Sequence, residues 1–97
     1  MAVYVDELLQ WPKSPKWPYG QSCHMYADTV EELHEFAATL GLKRSWFQQH
    51  EVMPHYDLTK TKRALAVRRG AVEHSRGDVV EVIRQRREEK AIRHKAR

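Results

Sequence analysis

The chain has one cysteine, four glycines, two phenylalanines and no apolar run long enough to span a bilayer. The single thiol, Cys23, excludes an internal disulfide framework and every zinc site that needs several cysteines. The glycines are scattered and form neither a phosphate-cradling P-loop nor a dinucleotide-binding turn. The opening run Met-Ala-Val-Tyr-Val-Asp lacks a basic stretch followed by an apolar one, so no secretory signal is expected. A membrane helix needs about 20 apolar residues, and no such segment occurs, so no membrane partner is expected. A reducing, cytoplasmic setting is the expectation that follows.

What the chain does contain suits one small globular domain. Ninety-seven residues, 41% of them hydrophobic, can bury a single modest core. The net charge of +4 is unevenly distributed. Residues 84–97 hold seven Lys/Arg against two Glu, whereas residues 1–59 hold four against eight Asp/Glu. Residues 60–76 hold six Lys/Arg and one Glu. An acidic first half therefore meets a basic helix, and the remaining basicity lies in the tail. We expect one domain over 1–83, followed by a basic helical extension or tail over 84–97.

Hydrophobic alternation predicts strands at 2–5, 22–27, 55–58 and 71–74. Helices are expected after Asp28, after Thr59 or Thr61, and after the Ser75/Asp78 capping pair. Leu33, Phe36, Ala37 and Leu40 give the first helix its apolar stripe, and Gly41 and Gly70 stop the first two helices. The order predicts an α/β sandwich with about four short, mostly parallel strands and three helices. The first connection, residues 7–21, lacks a helix, which leaves that strand pair free to be antiparallel. It carries Pro12, Pro15 and Pro18 among Trp11, Trp17 and Tyr19. Such a loop either packs its aromatics onto the core or offers them to a ligand or a protein partner.

The second helix opens with Thr59, Lys60, Thr61, Lys62 and Arg63. Cations at a helix N-terminus oppose its partial positive charge, at about 0.3–1 kcal/mol each. Free amides, hydroxyls and cations together make a seat for an anion. Thr59, Lys60, Lys62 and Arg63, with Lys16 from the loop, are thus candidate phosphate-binding residues. Three expected strands end in aspartate, at Asp6, Asp28 and Asp57. Were the strands parallel, these carboxylates would meet at one sheet edge and could hold Mg2+ or Mn2+. His55, His24 and Asp57 are then the candidates for proton transfer or catalysis. The chemistry these parts suit is that of a metal-dependent nuclease or phosphoesterase acting on nucleic acid or a nucleotide. Each part also has a plain structural use. Asp28 can be a helix cap, Asp57 can make a turn, and the histidines can be hydrogen-bonded at the core rim. A noncatalytic nucleic-acid- or protein-binding module fits the same residues.

The runs M-A-V-Y-V-D, W-P-Y-G-Q-S-C-H-M-Y-A-D-T-V-E-E-L-H-E-F-A, G-L-K-R-S-W-F-Q and P-H-Y-D-L-T-K-T-K-R-A-L-A-V-R-R-G-A-V together resemble a family of small bacterial and phage proteins. It is catalogued as domain of unknown function number four thousand and thirty-one. The resemblance covers about residues 1–75 and implies no activity, cofactor or catalytic residue.

Overall fold

The structure, a computed structural model, describes residues 2–95, with side chains through Arg93. Alternation of buried and half-exposed residues produces β1 (Val3–Val5), β3 (Gln21–Ala27) and β4 (Tyr56–Leu58). Two shorter strands, β2 (Leu9–Gln10) and β5 (Val72–Glu73), complete the sheet. The helices are α1 (Val30–Thr39), α2 (Lys60–Arg68) and α3 (Arg76–Lys95), with a 3₁₀ turn at Arg44–Trp46.

The longest strand, β3, is the spine of the sheet. One edge of it pairs with β1 and then β2, the other with β4, and all three pairings are antiparallel. Among the described residues, only β5, on the outer side of β1, runs parallel to its neighbour. The sheet is therefore mixed, and the expected mostly parallel arrangement is corrected. The reason lies in the connections. The chain leaves β3 through α1, and residues 40–55 then carry it back, so β4 starts beside the C-terminal end of β3. That return reverses the strand direction a simple crossover would give.

Val5 opposes Met25 and Leu9 opposes Ser22, so three residues of one strand, 6–8, face two of the other. This is a β-bulge, and it explains why the sequence pattern between β1 and β2 reads as a loop. The same segment continues as a hairpin closed across Trp11 N–H to Gly20 O.

Each face of the sheet is covered. Val3, Val5, Cys23, Met25, Tyr56 and Leu58 pack on Leu33, Ala37 and Leu40 of the α1 segment and on Ala66 of α2. On the opposite face, Tyr26 packs with Val52 and Met53, against Tyr4 and against Val79, Val82 and Ile83 of α3. Fully burying a large side chain such as Tyr26 or Tyr56 stabilises by roughly 1.5–3 kcal/mol. The result is helices on both faces of one small sheet.

Local capping refines the expected boundaries. Thr29, rather than Asp28, caps α1 by accepting from the Glu32 N–H. Thr59 caps α2 through the Lys62 N–H. Ser75 and Asp78 form a reciprocal capping box at α3, as their spacing predicts. Helix α3 continues unbroken past residue 84. There Arg86 donates to the Val52 and Ala27 carbonyls, and Lys90 pairs with Glu51. The extension expected over 84–97 is thus helical through Lys95, and residues 96–97 lie outside the described part. Among the described residues, no helix is long and apolar enough to cross a membrane.

Candidate metal centre and adjoining cleft

Because β3 runs between two antiparallel neighbours, its residue 24 faces Asp6 across one edge and Asp57 across the other. The pleat puts His24, Asp57 and, two residues before Asp57, His55 on the same face of the sheet. This is the face covered by α3, near the limit of that cover. Asp6 holds His24 twice. One carboxylate oxygen accepts the His24 backbone N–H at 2.6 Å, and the other lies 2.7 Å from the ring Nδ1.

Each member of the group is oriented by a partner of its own. The Asp6 carboxylate accepts from His24 Nδ1, so the Nε2 lone pair is free in the neutral ring. His55 Nδ1 lies 2.8 Å from the Met53 carbonyl oxygen, which can only accept, and the same tautomer follows. Asp57 Oδ2 accepts from the Gln48 amide, leaving Oδ1 to face the histidines. His24 Nε2 and His55 Nε2 lie 3.9 and 3.8 Å from Asp57 Oδ1. One ligating atom from each of the three residues falls within 4.8 Å of the others. The Asp6 hydrogen bond raises the His24 pKa above the ordinary imidazole value, with Coulombic help from Asp6 and Asp57, although burial works the other way.

Members of this group line two separate hollows. Asp57 lines a cleft of about 720 Å³ whose walls include Lys16, Trp17, Tyr19, Trp46 and Lys62. His24 and His55 line a smaller cavity of about 170 Å³ beneath α3, with Asp6, Tyr26, His50 and Ile83. Three aromatic residues and two lysines make up half of the larger cleft's lining, to which Thr59 and Thr61 also belong. Tyr19 and Trp46 are exposed, while Trp17 is anchored by its indole N–H to the Gln21 carbonyl and meets Tyr19 edge-on.

The structure divides the residues singled out from the sequence. Lys16, Thr59 and Lys62 come together on the cleft, whereas Lys60 points to solvent and Arg63 lies outside it. Two of the three cations of the α2 opening turn also have partners within the protein. Lys62 Nζ donates to the Leu40 carbonyl at the C-terminal end of α1, and Arg63 bonds the Asp6 carbonyl and Glu73. Their position at a helix N-terminus is thereby accounted for without an external anion. Lys62 retains two further donor hydrogens toward the cleft.

The three aspartates do not converge, and this is a second correction. Antiparallel pairing sends the end of β1 and the end of β3 to opposite ends of the sheet. Asp28 therefore sits beside Ala2, accepting its backbone N–H at 2.7 Å and the Tyr4 hydroxyl at 2.9 Å. Asp6 remains near the group, with both of its carboxylate oxygens engaged by His24.

Gln48, Met53 and His50 were not legible as site residues. The loop 48–55 brings them in, its two ends closed by an isolated bridge between Gln48 and His55. His50 Nδ1 accepts the Val52 and Met53 amides and so turns this segment back toward the sheet. The polar run before Pro54 was the only sequence signal, and it pointed to a loop. Cys23 points to the opposite face, where burial pushes its thiol up to about 12.

Fold and site together describe a small α/β domain with a two-histidine, one-carboxylate group at the end of an aromatic cleft. A family model described as a protein of unknown function, DUF4031, matches residues 3–86, and the chain belongs to that family. The match takes in every residue of the group and the first half of α3. No curated protein and no solved structure matches the chain.

Proposed function

We propose that this domain binds a phosphate-bearing ligand of the nucleotide or nucleic-acid class in the large cleft and hydrolyses its phosphoester with a divalent metal. The observation that carries this reading is that Asp57 belongs both to the cleft wall and to the His24–His55 group. Tyr19, Trp17 and Trp46 offer ring faces and edges on which a base can stack, each stacked base contributing about 1–3 kcal/mol. Lys16 and Lys62 supply positive charge for phosphate oxygens, and the Thr59 and Thr61 hydroxyls supply polar contacts. A metal at the end of the cleft would polarise a phosphoryl oxygen and lower the pKa of a bound water, generating the nucleophile. The lysines would offset charge that develops on the phosphoryl group.

The test uses the full chain with single-stranded DNA, RNA and a chromogenic phosphodiester, with Mn2+, Zn2+ or Mg2+ added in turn. Metal-dependent turnover that Asp57→Asn removes is the expected result. Affinity for the oligonucleotides should fall steeply with salt, as phosphate contacts release counterions. Salt-dependent binding that is sensitive to Trp46→Ala, without turnover under any metal, would leave a noncatalytic binding module. Neither binding nor turnover would remove the proposal altogether.

A further inference from the structure

The geometry points to a three-ligand centre, made of His24 Nε2, His55 Nε2 and Asp57, for a first-row transition dication of the zinc, manganese or ferrous class. This deepens the hydrolase reading, which draws its metal from the same residues. Metal uptake is measured with no substrate present, so uptake without turnover would sink the hydrolase reading alone.

The first ground is convergence. With both Nδ1 atoms facing groups that accept, the neutral imidazoles turn lone pairs toward Asp57 Oδ1 at 3.9 and 3.8 Å. While both rings are neutral, these three electron-rich atoms have no donor among them and repel one another. A cation between them reverses that sign. Tetrahedral bonds of about 2.1 Å put ligand atoms roughly 3.4 Å apart, about half an ångström less than the present distance of either histidine nitrogen from Asp57 Oδ1.

The second ground is the supporting contacts. A ligating histidine characteristically donates its other ring N–H to a carboxylate or backbone carbonyl. His24 uses the carboxylate of Asp6, and His55 uses the carbonyl of Met53. Asp57 is fixed in turn by Gln48. All three ligands are thus oriented before any ion arrives.

The third ground is donor chemistry, and it decides the class of ion. Two imidazole nitrogens and one carboxylate suit zinc, iron or manganese and leave coordination positions open. Mg2+ prefers oxygen donors and retained water, so it is a poor match for a centre two-thirds nitrogen. The earlier expectation of an all-carboxylate site for Mg2+ or Mn2+ is narrowed accordingly.

Asp6 is the positioning residue in this centre. Replacing it with asparagine forces one of two His24 contacts to set donor against donor, whichever way the amide sits. The ring escapes by moving its proton to Nε2, and the metal then loses that lone pair.

The experiment titrates untagged, chelator-treated full-length protein with Co2+, following its visible bands, and with Zn2+ by calorimetry and displacement. One equivalent of Co2+ should bind, Zn2+ should displace it, and millimolar Mg2+ should not. His24→Ala, His55→Ala and Asp57→Ala should each weaken uptake by about 100-fold or more. Asp6→Asn should weaken it by about 10–100-fold and alter the Co2+ bands, a change that mere loss of stability would not cause. Gln variants at 24 and 55 provide the same test should an alanine variant fail to fold. No stoichiometric uptake, uptake indifferent to changes at His24 and His55, or displacement by Mg2+ would each overturn the assignment.

Discussion

The two ends of the β1–β3 ladder are built alike and serve different ends. At each, an aspartate carboxylate accepts a backbone amide that a strand carbonyl would ordinarily take. Asp28 accepts the Ala2 N–H, and Asp6 accepts the His24 N–H. The remaining capacity of Asp28 goes to the Tyr4 hydroxyl, an exposed and purely local contact. The remaining capacity of Asp6 goes to an imidazole that faces Asp57 and stands beside His55. Asp6 is also buried, whereas Asp28 is open to water. An identical residue performing an identical backbone task is a seam at one end and part of a candidate centre at the other. What separates them is the third strand, β4, which pairs only with the Asp6 end.

The contrast can be broken most forcefully through metal affinity. Asp6→Asn should lower Zn2+ affinity by about 10–100-fold, while Asp28→Asn should leave it unchanged. Calorimetry on the two variants side by side checks this, and equal losses would erase the distinction. Stability gives the next largest difference. Asp6→Ala leaves both the His24 amide and its ring N–H without a partner in a partly buried setting. It should cost about 2–3 kcal/mol, against under about 1 kcal/mol for Asp28→Ala, by urea denaturation at constant m-value.

A smaller effect tests the cations behind Asp6. Lys62→Ala removes a charged hydrogen bond to the end of α1 and should cost about 1–2 kcal/mol, read by the same denaturation curves. An anion-only role for Lys62 predicts instead no loss, or a slight gain, because the helix terminus disfavours the charge. The smallest effect is acid sensitivity at the quiet end. Burial alone would raise the Asp28 pKa, but the bonds from the Ala2 N–H and Tyr4 hydroxyl outweigh it and leave it lowered. Its contribution is therefore fully present above the ordinary carboxylate value near 3.9 and fades as pH falls through the lowered one. Stability measured between pH 5 and 2 should show that limb in the wild type, reduced in Asp28→Asn.

Much of the fold was legible because its signals are local. The apolar stripe of α1, the Thr59 and Ser75/Asp78 caps, and the alternation in β1, β3 and β4 can all be read within a few residues. Strand direction cannot be read that way. It depends on where the chain re-enters the sheet after residues 40–55, and nothing in β4 itself records the answer. The same gap governs the site. His24, His55 and Asp57 were recognisable as candidate residues for chemistry, and antiparallel pairing is what sets them side by side. That pairing also carries Asp28 away. The bulge at residues 6–8 hid β2, since one extra residue breaks the period on which a strand is recognised. The partners of Lys62 and Arg63 come from distant segments, so a cationic helix start read alone implied an outside anion.

One consequence follows from the neighbour of His24. Cys23 is adjacent in sequence, yet the pleat sends its sulfur into the apolar layer beneath α1 and α2. The chain's one thiol is thus kept apart from the His24–His55–Asp57 group and from oxidants reaching the cleft. A slip of β3 by a single residue would reverse this, bringing sulfur to the surface and burying the imidazole. The ladder that the two aspartates close therefore sets which element, nitrogen or sulfur, the protein shows to solvent.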